Sequence, residues 1–313
     1  MRSTPFTELT GCDLPIQCAP MGGISTAQLA AAVAEAGGLG MLGIGSRGID
    51  VLTAWIDDVL ALTSRPVGVG FINEFLDRDA VALAVERLPV IEFYWGWPDP
   101  ELVADGRIVG WQVGSVDEAR AAIDAGCAYV AVQGIEAGGH VRGNVELDEL
   151  LASTRIALGH DAVIVAGGGV GTAADVRRLL DQGADAVRVG TRFVAATESA
   201  AHDRYVELLT EATDSDTELS EAFWLGWPEA QHRVLTSAVE ASGEGDDVVG
   251  SMPGPDGRRV RVPRFFVSPP TRDFDGFIDA MALYAGTGST GAVDGRVAAA
   301  DVVAELTIGL DDA

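Results

Sequence analysis

Val163-Ile164-Val165-Ala166-Gly167-Gly168-Gly169-Val170-Gly171-Thr172 is an apolar run that breaks into glycines and then into a helix start. Shortly after it, Ala186-Val187-Arg188-Val189-Gly190-Thr191 repeats the same order. Short, bounded, mostly apolar runs of this kind read as strands covered on both faces. Working outward, the same character recurs at residues 16–19, 40–43, 67–71, 90–94, 108–112, 129–132, 162–166 and 186–189, with helix-compatible sequence between most of them. This alternation predicts an α/β fold, a TIM-type (β/α)8 barrel with a C-terminal helical and loop extension, closing near residues 188–191. Ser25 with Gln28, Ser115 with Glu118 and Thr172 with Asp175 supply the cap spacing expected where helices begin. Trp97-Pro98-Asp99-Pro100 is too abrupt for a full crossover helix, so the fifth strand is placed by Gly106 and Gly114 on either side of it.

The barrel is expected to occupy residues 1–195. Residues 196–313 form an extension packed against it, on the substrate side as a lid. Within that extension, residues 242–259 are rich in Gly, Asp and Pro and read as an exposed loop or small hairpin rather than a second hydrophobic core.

Composition narrows the function. The chain has 313 residues, is 48% hydrophobic but only 6% aromatic, and carries a net charge of -26. That sign argues against nucleic acid and against a polybasic membrane anchor, and no run approaches the length needed to span a bilayer. All 21 basic side chains are arginine, so a lysine Schiff base and a Walker A lysine are both excluded. Cys12, Cys18 and Cys127 show no metal-ligand spacing and read as reduced thiols, which favours a cytoplasmic protein with no metal. The early glycines around Gly22 and Gly45 do not complete a dinucleotide fingerprint.

The glycines after the seventh and eighth strands are the candidate phosphate cradle, because loops there face a barrel's open end and backbone N–H groups can bind an anion. A plain strand-to-helix turn explains either segment taken singly. Arg192 can neutralise phosphate or pair with a nearby acid. His140, in Gln133-Gly134-Ile135-Glu136-Ala137-Gly138-Gly139-His140 after the sixth strand, is the candidate catalytic residue, able to move a proton near neutral pH or to hydrogen-bond an oxyanion or nitro group. It can equally connect backbone to acidic groups. Glu136 can orient it or meet a helix. His160, His202 and His232 read as structural or solvent-facing, and Cys127 as packing.

Together with Ala19-Pro20-Met21-Gly22-Gly23 and the two glycine edges, the segment ending in His140 resembles the nitronate monooxygenase family. The resemblance covers most of the first 195 residues and continues more weakly through Gly226-Trp227-Pro228 and Tyr284-Ala285-Gly286. It implies non-covalently bound FMN, approached by Met21 and Gly22, contacted along its ring edge by Asn73 and Gln112, and hydrogen-bonded by Gln133. Gly167, Gly169, Gly190 and Thr191 would hold its phosphate. His140 would position the substrate or assist proton movement, with Phe71, Phe93, Tyr94 and Trp95 available to line an apolar pocket. Gln112 departs from the lysine often found at this flavin position and brings no charge. The implied reaction takes an alkyl nitronate and molecular oxygen to a carbonyl compound and nitrite. The same resemblance admits NAD(P)H-dependent quinone or enoyl-thioester reduction, and a barrel that binds a small molecule without turnover is a third reading.

Overall fold

The computed structural model describes residues 3–103, 107–254 and 257–310. Its main sheet contains β1 (Ile16–Cys18), β2 (Gly40–Gly43), β3 (Val67–Ile72), β4 (Val90–Tyr94), β5 (Ile108–Val113) and β6 (Tyr129–Gln133). The two-residue β7 (Gly139–His140) leaves the barrel, and β8 (Ile164–Gly167) and β9 (Ala186–Val189) complete it. These strands are parallel in the order β1-β9-β8-β6-β5-β4-β3-β2. The ends of that row meet: Leu39 N–H donates to the Ile16 carbonyl at 2.8 Å, and Cys18 N–H to the Leu39 carbonyl at 3.0 Å. The result is a TIM-type barrel, with strands where the apolar runs predicted them. Gly106 lies outside the described residues. Only the short helix Pro100–Val103 follows β4 before them.

Strand periodicity sends alternate residues to different places. On β4, Ile91 and Phe93 join the layer between sheet and helices, while Val90, Glu92 and Tyr94 turn inward. At the base, the helix Pro5–Thr10 begins with a Thr4–Thr7 capping box and presents Phe6, whose ring meets Tyr129 edge-on at 5.8 Å. Burying such a ring contributes about 2–3 kcal/mol. Tyr129 fits because its inward neighbour on β5 is glycine: a Cβ at Gly110 would lie 2.0 Å from the Tyr129 ring.

The helix starts conform unevenly. Thr172 and Asp175 form a complete capping box before the helix Ala173–Asp181. Ser115 accepts from Glu118 N–H, but the Glu118 carboxylate turns instead to Gly114 N–H and Arg142. Ser25 does not cap its helix. Thr26 stands at the cap position, and the Ser25 hydroxyl donates to the Ala19 carbonyl at 2.9 Å, stiffening the turn after β1.

The extension departs most from expectation. It builds its own hydrophobic core around Tyr205, Phe223, Val234, Ile278 and Leu283, which also packs on Ile24 and Val194 beside the barrel mouth. β12 (Val248–Pro253) and β13 (Arg259–Pro263) form the hairpin expected near residues 242–259, but Ser242, Val249 and Val262 are buried. β10 (Thr217–Ser220) pairs with β11 (His232–Leu235), and β11 pairs with β7. The last helix, Ala299–Leu306, returns to the outer layer of the barrel through Val302, Val303 and Leu306. The extension is thus packed against the barrel through this helix as well as beside its mouth.

Gly110→Ala should destabilise the chain by about 2 kcal/mol or more, because neither the Tyr129 ring nor the strand can yield without disturbing the barrel interior. A urea denaturation midpoint within error of the wild type would show that the interior is not packed as described.

Candidate active site

A cavity opens at the C-terminal ends of the barrel strands. Met21, Gly22, Gln112, Gln133, His140, Gly167, Gly169, Gly190 and Thr191 all line it. Asn73 does not. It begins the single turn Asn73–Phe75 after β3, and Phe75 and Ile72 reach the wall in its place. The Asn73 Oδ1 is buried without a hydrogen-bond partner among the described residues.

The floor is ionic. Arg188, 7% exposed, reaches across the barrel from β9 to Glu92 on β4, which is 1% exposed. The Arg188 Nε and Nη2 also donate to Gln17 Oε1 at 3.1 and 2.9 Å, and its Nη1 donates to Gln112 Oε1. Glu92 Oε2 further accepts from the Tyr129 hydroxyl at 2.8 Å and from Gln17 Nε2 at 3.2 Å, while its Oε1 has no partner among the described residues. Burial and the neighbouring Glu92 hold the Tyr129 hydroxyl protonated, well above its ordinary pKa. Neither Arg188 nor Glu92 stood out in the sequence. Each is one charged residue inside an otherwise apolar strand, a pattern that marks an inward position only once the barrel is known.

The wall facing this floor belongs to His140. Its backbone is held in an antiparallel ladder, directly opposite His232 on β11, and its carbonyl accepts from the Gln133 amide at 2.8 Å and the Tyr94 hydroxyl at 2.5 Å. Much of Gln133's hydrogen-bonding capacity is thus spent on the His140 segment. The imidazole stacks on Trp227 with centroids 3.9 Å apart and planes at 22°, and His232, Tyr284 and Trp95 surround it at 5.2, 5.5 and 6.4 Å. Trp95 reaches this cluster with a positive φ of 73°, a conformation that is costly for a bulky residue. The His140 Nε2 is buried and has no partner among the described residues. Burial, then the His232 ring, lowers the His140 pKa to about 3. It is neutral at physiological pH, so the proton movement near neutrality expected from the sequence is not available to it, and the hydrogen-bonding role is. His232 is not solvent-facing: its Nδ1 lies 2.9 Å from the Ala230 carbonyl, and its Nε2 accepts from Phe223 N–H.

Other expectations resolve individually. Arg192 donates to the Gly171 carbonyl and pairs with Glu305, so it braces the turn after β8. Glu136 accepts from Leu147 N–H at 3.1 Å at the start of the helix Leu147–Leu158. Phe71 and Tyr94 line the cavity, whereas Phe93 packs against Phe71 and Trp111 in the core. Burial pushes the Cys127 thiol up to about 12, consistent with packing. His160 is exposed ahead of β8, and His202 caps the helix Asp203–Glu211. Among the described residues there is no cluster able to hold a metal ion, and no helix is long and apolar enough to cross a membrane. The extension covers the cavity with Trp227, Val267, Pro269 and Tyr284. Only Trp227 and Tyr284 among these had been linked to function, through short matching segments.

Comparison with known proteins fits this arrangement. The family model for nitronate monooxygenase matches residues 3–84 and 77–241. The chain belongs to the nitronate monooxygenase family. It is 32% identical over 251 residues to a nitronate monooxygenase of Paraburkholderia phytofirmans, a match spanning 63% of this chain and 68% of that one. It is also 33% identical over 248 residues to the (3aS,4S,5R,7aS)-5-hydroxy-7a-methyl-1-oxo-octahydro-1H-indene-4-carboxyl-CoA dehydrogenase of Mycobacterium tuberculosis, a match spanning 76% of this chain and 67% of that one. Among solved structures, nitroalkane oxidase from Streptomyces ansochromogenes superposes with a TM-score of 0.78 at 28% identity, covering 99% of this chain and 98% of that one. FabK from Thermotoga maritima does so with a TM-score of 0.78 at 25% identity, covering 98% and 95%. Membership of the nitronate monooxygenase family makes the chain an oxidoreductase and sets aside the barrel without turnover.

The depressed pKa of His140 in this family member has a measurable sign. The unfolded chain takes up a proton near the ordinary value of 6.5 and the folded chain only near 3, so this contribution to stability is present above pH 6.5 and is lost as pH falls toward 3. In a proton–carbon correlation spectrum the His140 ring signals should stay fixed between about pH 8 and pH 5, the range across which an exposed imidazole titrates. A midpoint near 6.5 would mean that water reaches the ring.

Proposed function

We propose that this chain binds FMN across the barrel mouth and oxidises small alkyl nitronates with molecular oxygen, giving carbonyl compounds and nitrite. The observation that carries the reading is the presence of two buried atoms without a partner among the described residues, Glu92 Oε1 on the floor and His140 Nε2 on the wall, in residues that line one glycine-edged cavity. Buried polar atoms left unpaired in a cavity invite a ligand with matching groups. The phosphate end fits as well. Gly168 and Gly169 adopt φ values of 140° and 68°, and a Cβ at Gly169 would lie 2.5 Å from the Thr287 carbonyl oxygen, so only glycine leaves the backbone of this turn free to approach an anion.

On this reading Gly167, Gly169, Gly190 and Thr191 hold the phosphate, and Met21 and Gly22 bound the ring. Thr191 has a hydroxyl that already accepts from Gly286 N–H at 3.0 Å, which orients its own proton for donation. Gln112 contacts the polar edge of the ring. The bound flavin supplies the electron transfer, which no side chain here can perform. His140 is neutral and therefore offers one N–H donor and one lone pair; it donates to a nitronate oxygen without repelling or protonating the carbon acid's anion. The aromatic cover of Trp227 and Tyr284 excludes water and accommodates a short organic group.

His140→Ala should keep FMN content and fold while lowering nitronate turnover by about a hundredfold, within the range that a positioned donor supplies. Unchanged turnover in a fully loaded variant would remove His140 from the chemistry. The reaction itself is assigned by anaerobic titration of the purified protein, followed by its flavin absorption. Bleaching by an alkyl nitronate and recovery on admitting oxygen are expected. Bleaching by NAD(P)H alone, with a quinone or enoyl thioester restoring the colour, would instead assign a reductase.

A further inference from the structure

The chain contains no lysine, and Gln112 at the polar side of the cavity is neutral. Yet the cavity floor holds a permanent cation, brought there from another strand. Arg188 is buried, lines the cavity, and donates from Nη1 to Gln112 Oε1. We propose that Arg188, acting beside and through Gln112, supplies the positive charge that favours the reduced flavin in this protein. The inference rests on the FMN reading above.

The orientation follows from strand register. Glu92 on β4 is opposite Gly110 on β5, whereas Gln112 lies two positions further along β5 toward the mouth and opposite Tyr94. The nitrogen of Arg188 bound to Glu92 therefore faces the barrel interior, and the nitrogen bound to Gln112 faces the mouth. Both members of the pair line the cavity, and Arg188 is the one bonded to Gln112 on its mouth side. Glu92 is further occupied by the Tyr129 hydroxyl and the Gln17 amide, both donors, which disperse its negative charge below the guanidinium. Reduction adds negative charge to the flavin ring, and a fixed cation in a site shielded from water stabilises that charge more strongly than one in bulk solvent. An arginine suits the role because it does not lose its proton when desolvated. Gly167 makes the placement possible: a Cβ there would lie 2.9 Å from the Arg188 Cβ.

The experiment measures the two-electron midpoint potential of bound FMN and its dissociation constant, in wild type, Arg188→Gln, the neutral-floor variant Glu92→Gln/Arg188→Gln, and Gln112→Lys/Arg188→Gln. The neutral-floor variant avoids leaving Glu92 buried without its partner, should Arg188→Gln fail to fold. Removing Arg188 should make reduction at least tenfold less favourable, a fall of about 30 mV, and Gln112→Lys/Arg188→Gln should recover most of it by returning a cation to the same edge. FMN bound with an unchanged potential in the neutral-floor variant, or a fall that the added lysine does not reverse, overturns the assignment of Arg188 alone. A wild-type chain that takes up no FMN overturns both this inference and the cofactor reading beneath it.

Discussion

A guanidinium sealed inside a barrel sets the terms for everything around it. Arg188 can be buried only if acceptors meet it on several sides, since an unpaired cation in such a place costs far more than the chain's net stability. Gln17, Glu92 and Gln112 come from three different strands to do so. Their convergence fixes the register of those strands relative to β9, and it draws the inward glycines after it: Gly167 leaves room for Arg188, and Gly110 for the tyrosine that hydrogen-bonds Glu92. A salt bridge of this kind adds little stability over an apolar core of the same shape. Its retention at the base of the cavity is better explained by what it presents to a ligand.

The opposite side of the site obeys a different constraint. His140 belongs to a short strand that has no place in the barrel and needs a partner for its backbone groups, and β11 of the extension provides one. That single ladder ties the extension to the barrel mouth. It also brings His232 beside His140 and carries the chain past Trp227, so that the ring is buried by the element that positions its backbone. The last helix then returns to the barrel, leaving the extension anchored at both ends.

The barrel was legible because strands covered on both faces read as apolar runs, and β2, β4 and β9 fall where those runs begin and end. The glycine edges and His140 were legible because they interrupt those runs at the strand ends. The floor was not. Glu92 and Arg188 are separated by 96 residues, and nothing local in Val90–Tyr94 or Ala186–Val189 says that their two charges meet. The extension's core was hidden for a related reason: Phe223, Val234, Ile278 and Leu283 lie among Gly, Pro and Asp with no helical or strand period long enough to reveal a shared face. Asn73, read from resemblance alone, fell just outside the wall that its neighbours form.

Floor and cover thus divide the electrostatic work. Arg188 keeps its charge because arginine does not deprotonate under these conditions, and His140 keeps its neutrality because burial holds its pKa near 3. His140 does not change protonation state around neutral pH. A site built this way does not depend on catching a side chain at its titration midpoint. On the proposed reading an anionic substrate would meet a neutral donor on one side and, across the space the flavin is proposed to fill, Arg188 of the buried ion pair on the other. Exchanging those two environments, with the cation beside the substrate and the neutral group under the ring, would bind the anion more tightly but would favour leaving its electrons where they are.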